Sequence, residues 1–67
     1  MKLWIARDES GDIYLYDSKP ERVADWSGGI WKASDFFELQ PDSFPEVTFE
    51  NSPLEVELKL INNENRR

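Results

Sequence analysis

Residues 1–17, MKLWIARDESGDIYLYD, decide the fold. Leu3, Ile5 and Arg7 alternate with Lys2, Trp4 and Ala6, while Ile13 and Leu15 alternate with Tyr14 and Tyr16. Both arms therefore carry the period-two pattern of β-strands, written largely in β-branched and aromatic side chains. Between them lies the polar run Asp8-Glu9-Ser10-Gly11. A three-residue loop of Glu9, Ser10 and Gly11 suits a type I turn closed by a left-handed residue, a conformation glycine enters without steric cost. That loop length predicts a hairpin with Trp4 opposite Tyr16, Ile5 opposite Leu15, Ala6 opposite Tyr14 and Arg7 opposite Ile13. One face is then aliphatic (Leu3, Ile5, Ile13, Leu15) and the other aromatic (Trp4, Tyr14, Tyr16), and a one-residue slip would mix the two sets. A four-residue loop ending on Gly11 gives the competing register.

Outward from this ribbon, Asp17-Ser18-Lys19-Pro20-Glu21-Arg22 reads as a solvated turn, since proline fixes its own dihedral and extends the residue before it. Val23 to Ser34 reads as a second hairpin turning on Gly28-Gly29. This register pairs Ser27 with Ile30, Trp26 with Trp31, Asp25 with Lys32 and Ala24 with Ala33. A mobile glycine loop that lets Trp26 and Trp31 close over a ligand is the alternative. Phe36 to Gln40 fits either a helical turn capped by Asp35 and Glu38 or a short strand stopped by Pro41. Pro41 to Pro45 is loop, Glu46 to Glu50 alternates like a short strand, and Asn51-Ser52-Pro53 turns the chain.

The last element has two readings. Leu54, Val56, Leu58 and Leu60 alternate with Glu55, Glu57 and Lys59, which favours a strand over 54–60. Ser52-Pro53-Leu54-Glu55 also has the form of a helix start, giving an α+β alternative with a C-terminal helix from Pro53. The favoured fold is all-β or β-dominated: a small curved sheet or open barrel of about five strands. It occupies 1–61 as a single domain and is followed by a polar, flexible tail over 62–67.

Composition narrows function mainly by exclusion. The 67 residues contain no cysteine and no histidine, so neither a disulfide nor a Cys/His zinc site can staple the chain. Ser-His and Cys-His nucleophilic chemistry is excluded on the same ground, and the chain reads as non-enzymatic. Asp8, Ser10 and Asp12 alternate like calcium ligands, yet Lys19 stands where the bidentate glutamate belongs. No metal and no cofactor is therefore expected. A net charge of -6 repels phosphate, so direct nucleic-acid binding is not expected. The N-terminal apolar run is interrupted by charge within seven residues and no later stretch reaches membrane-spanning length, which points to a cytoplasmic protein without a membrane segment.

Read together, MKLWIARDESGDIYLYDSKP and FFELQPDSFPEVTFENSPLEVEL resemble a group of short bacterial and phage proteins without assigned activity. These share an I-A-R-D-like opening strand, a glycine hairpin, a K-P turn and a late F-P-E-V segment with an aromatic two residues on. The resemblance runs to about residue 58. It implies a small accessory protein of phage or mobile-element origin, and no site residue.

Nine aromatics in so short a chain are the better functional signal, because tryptophan and tyrosine dominate binding hot spots. Trp4, Tyr14, Tyr16, Trp26 and Trp31 are the candidate interaction residues, with the tyrosines expected to be the more exposed. The leading expectation is a protein-interaction module using an aromatic patch or an open strand edge toward a protein partner or as a homodimer. An acidic mimic of nucleic acid that inhibits a host protein is one alternative; a small-ligand or carbohydrate binder with a Trp26/Trp31 clamp is another.

Overall fold

The alternation in residues 1–17 becomes the two central strands of the larger of two sheets. The computed structural model describes residues 1–26 and 28–60. Its strands are β1 Lys2–Arg7, β2 Ile13–Tyr16, β3 Glu21–Asp25, β4 Gly28–Lys32, β5 Phe36–Leu39 and β6 Leu54–Glu57. The protein is all-β, with no helix among the described residues. The strands form not one sheet but two, a four-stranded sheet of order β5-β2-β1-β6 and a two-stranded sheet β3-β4, and they do not close into a barrel. Ile61 and the tail over 62–67 lie outside the described residues.

β1 and β2 pair in the expected register, on all four rungs from Trp4–Tyr16 to Arg7–Ile13. Gly11 closes the loop at φ 107°, where a side chain would be strained. Phe36 to Leu39 resolves as strand, pairing Tyr16 with Phe36 and Ile13 with Leu39. The C-terminal element is also a strand, antiparallel to β1, and ends at Glu57 rather than Leu60. Period two thus outweighs the Ser-Pro helix-start signal, because it buries Leu54 and Val56 beside Ile5 and Leu3.

The aliphatic face carries the core. Ile5, Ile13 and Val47 are buried, with Leu15, Leu39, Leu54 and Val56 packed around them. Val47 comes from residues 46–50, which form no strand, contrary to expectation. Their backbone groups are already engaged. Val47 N donates to Phe44 O at 2.9 Å, Thr48 N to Asn51 Oδ1 at 2.8 Å, and Ser52 Oγ to Thr48 O at 2.6 Å. Asn51 Nδ2 adds a bond to Glu46 O at 3.0 Å. Side chains of Asn and Ser thus replace a ladder.

Arg7 holds this loop against the sheet. Its Nε donates to Val47 O at 2.6 Å, Nη1 to Gly11 O and Pro41 O at 2.7 and 2.9 Å, and Nη2 to Ser43 O and Phe44 O at 2.9 and 3.1 Å. All five guanidinium donors are used, each on a backbone carbonyl. Phe44 adopts φ 51°, a left-handed conformation that costs a bulky residue about 1 kcal/mol and aims its carbonyl at Arg7.

The second hairpin departs from its expected register. Asp25 pairs with Gly28, Ala24 with Gly29, Val23 with Ile30, Arg22 with Trp31 and Glu21 with Lys32. Chain reversal therefore precedes the glycines, and the Trp26–Trp31, Asp25–Lys32 and Ala24–Ala33 rungs do not form. The Ser27–Ile30 rung involves Ser27, which lies outside the described residues; Ile30 pairs with Val23. Docking explains the shift. Gly29 exchanges hydrogen bonds with Glu9, N to Oε1 at 2.8 Å and O from Glu9 N at 3.0 Å, and a Cβ on Gly29 would collide with the Phe49 ring. The glycine pair serves close approach, with Gly28 at φ 120° and Gly29 beneath an aromatic ring.

Candidate interaction surface

The β1–β2 register places Trp4, Ala6, Tyr14 and Tyr16 on the face opposite the aliphatic core, and β3-β4 covers part of it. Asp8, at the end of β1, is buried and its Oδ1 accepts Trp31 N at 2.9 Å. Trp31 Nε1 donates to Arg7 O at 3.1 Å, and Tyr16 Oη donates to Trp31 O at 3.2 Å. Residues 7–9 and Tyr16 therefore hold β4 through Gly29 and Trp31.

Between the sheets lies a cavity of about 200 Å³ whose walls include Asp8, Tyr14, Tyr16, Trp31, Lys32 and Phe36. The rings form a connected cluster. Tyr14 stacks on Phe36 with centroids 5.3 Å apart and on Tyr16 at 6.2 Å, and Tyr16 tilts against Phe36 at 6.4 Å. Offset and tilted rings at these separations attract beyond simple burial.

Three of the five residues singled out by sequence, Tyr14, Tyr16 and Trp31, come together at this cavity. Two do not. Trp4 is Tyr16's cross-strand neighbour, but it is half-buried with the Lys19 ammonium 5.5 Å from its ring centroid. Trp26 is 97% exposed and does not line this cavity with Trp31. The expected ordering of exposure also reverses for this pair, since Tyr16 is only 2% exposed. Its hydroxyl finds a protein acceptor and needs no water. Phe36 and Asp8 were missed as site residues. The Phe36-Phe37 doublet was the available signal for the first; Asp8 carried turn chemistry and the calcium-like alternation with Ser10 and Asp12, neither of which pointed to Trp31.

Asp8 and Lys32 place one group of each charge sign in the cavity wall. Burial pushes the Tyr16 phenol up to about 12, with the Asp8 charge and then Tyr14 adding to the shift. Tyr14 is also raised, by burial first and then by Asp12, Glu38 and Asp8. An unfolded tyrosine ionises near pH 10. The neutral phenol therefore contributes stability that is fully present below about pH 10 and is lost as pH rises toward about 12. Urea midpoints of the wild-type chain should fall more steeply between about pH 10 and 12 than those of Tyr16→Phe. Parallel slopes would show that Tyr16 ionisation is not linked to folding.

Elsewhere, a broader depression of about 640 Å³ runs along Glu9, Arg22, Gly28, Gly29 and Phe49. Phe49 fills the interior side, with the Arg22 guanidinium 4.5 Å from its centroid and Trp31 tilted against it at 6.3 Å. These contacts join the 46–51 loop to the second sheet. Among the described residues no group of three or more carboxylates could hold a metal, and no helix is long and apolar enough to cross a membrane.

The outer strand completes the surface. β5 pairs with β2 on one side only, and Phe36 and Phe37 are 63% and 67% exposed on opposite faces of it. The fold and surface together define a small β-hairpin protein with an aromatic cluster beside a sheet edge. Compared with protein-family models, with curated proteins and with solved structures, the chain matches none.

Proposed function

We propose that the protein is a non-enzymatic interaction module whose outer strand β5 accepts an extended segment of a partner protein. The observation that carries this reading is the β5 edge with Phe36 and Phe37 exposed on its two faces. An edge strand presents unpaired N–H and C=O groups in register for another chain, and side chains of alternate parity give the added strand its specificity. A net charge of -6 on each copy opposes self-association and favours a basic partner segment. The cysteine-free composition supports a reducing, cytoplasmic setting. The resemblance to short bacterial and phage proteins supports an accessory role of phage or mobile-element origin.

Linear peptides selected by display against the folded chain, then titrated into isotopically labelled protein, test this. Binders should be extended, alternating sequences that shift the amide signals of residues 36–39. Phe37→Lys, a charge on the edge, should weaken them at least about tenfold, and Trp26→Ala should leave them unchanged. Shifts confined to β6 or to Trp26, or self-association in place of peptide binding, would overturn the assignment.

A further inference from the structure

We propose that the strand received by β5 is selected on one face for an apolar residue followed, two positions later, by lysine or arginine. The apolar side chain packs on Phe37 and the cation lies against Asp35 and Asp17. This inference rests on the edge reading above and adds to it the sequence that the edge prefers.

The strand registers put the relevant side chains on a single face of the larger sheet. Phe37 lies across from Leu15 and Leu15 across from Ile5, while Leu3, two residues before Ile5, lies across from Val56. Val47 covers one end of this face, over Ile5 and Ile13. The other end is open: Leu3, Leu15 and Val56 are only half-buried, and Phe37 is 67% exposed. A shallow groove of about 200 Å³, roughly six water volumes, lies along Leu3, Leu15 and Phe37, and its wall includes Asp17 and Asp35.

The two carboxylates flank the end of the β2–β5 ladder, since Asp17 follows Tyr16 and Asp35 precedes Phe36 in the terminal rung. Both are exposed, and neither makes an ion pair among the described residues. The basic residues nearest to them in sequence are placed elsewhere. Lys19 holds its ammonium 5.5 Å from the Trp4 ring centroid, and Lys32 lines the cavity beside Tyr14 and Trp31. Every strand pair in the protein is antiparallel, the arrangement more stable per residue. A strand added antiparallel to β5 that sets one residue beside Phe37 sets the residue two further on beside Asp35, with both side chains on the groove face. Other occupants fit less well. An acidic side chain meets Asp35 and Asp17, and a second copy of β5, with Asp35-Phe36-Phe37-Glu38-Leu39, brings no cation.

Three peptides titrated into isotopically labelled protein test the order and the charge: acetyl-Thr-Thr-Ile-Thr-Lys-Thr-Thr-amide, its glutamine counterpart in place of lysine, and the peptide with isoleucine and lysine exchanged. The first should shift the amides of Leu15, Asp17 and residues 36–39 and bind about threefold tighter than the glutamine peptide, an advantage that shrinks at about 0.5 M salt. The exchanged peptide should be weaker by a similar factor. Asp35→Asn should abolish the preference for lysine, whereas Glu38→Gln, the same change of charge on the opposite face of β5, should keep it. Equal binding of all three peptides at residues 36–39 would remove the sequence preference and leave the edge reading standing. An equal loss of preference in Glu38→Gln would assign it to the net charge of the chain and overturn the groove. No shift at residues 36–39 with any peptide would remove the edge reading itself.

Discussion

Replacing Arg7 with alanine is expected to leave the chain largely unfolded in dilute buffer. The guanidinium spends every donor on carbonyls of Gly11, Pro41, Ser43, Phe44 and Val47, so its loss strands five acceptors at once. A hydrogen bond to a charged group contributes about 1.5 to 3 kcal/mol, and three of these five are part-buried while two are exposed, so the combined loss is about 3 to 5 kcal/mol. Total stability for a chain of this length is only about 3 to 10 kcal/mol. The loop would also lose its hold on Val47, which is 4% exposed and completes the core with Ile5 and Ile13. Arg7→Lys keeps the charge but not the planar fork, and a single ammonium cannot reach carbonyls spread around three nitrogens. It should recover less than half of the loss. Urea denaturation followed by tryptophan emission measures both variants, and an alanine variant within about 1 kcal/mol of wild type would show that the loop is held by other means.

The role of Arg7 was invisible in the sequence, and the reason is physical. Alternation in residues 1–17 depends only on neighbours along two adjacent strands, so the first hairpin could be read rung by rung. β6 was legible for the same reason, because its apolar set faces a core that β1 already defines. The second hairpin was not. Its local signal, two glycines, is the signal of a tight turn, whereas the structure uses the glycines to bring Glu9 and Phe49 against the backbone of β4. Residues 46–50 show the converse failure: Val47 and Phe49 have strand spacing, but Asn51, Ser52 and Arg7 take the hydrogen bonds that a ladder would need. Phe36-Phe37 gave no decision because both rings are exposed and no buried face imposes a period. At the candidate site, Tyr14, Tyr16 and Trp31 were identifiable as aromatics. Their convergence depends on the β4 register, which distant contacts select.

Trp31→Ala is expected to release the β3-β4 sheet from the larger one while costing about 3 to 4 kcal/mol. Trp31 is half-buried and connects three separate parts of the chain. Its indole N–H donates to Arg7 O, its ring meets Phe49, and its carbonyl accepts the Tyr16 hydroxyl. Alanine keeps the backbone bonds to Asp8 and Tyr16 in principle, yet removes the ring that holds β4 at the distance those bonds require. Trp31→Phe separates the two contributions, since it retains most of the packing and loses only the 3.1 Å bond to Arg7 O, worth about 1 kcal/mol. Hydrogen exchange should resolve the outcome by position. In Trp31→Ala, the amides of Glu9, Gly29 and Trp31 should lose protection far more than those of β1 and β2, because local opening precedes global unfolding wherever a unit is attached through few bonds. Uniform loss across both sheets would mean that the two sheets unfold as one. Either result sets Trp31→Ala apart from Phe37→Lys, which changes the β5 edge at a residue that makes no bond to the second sheet.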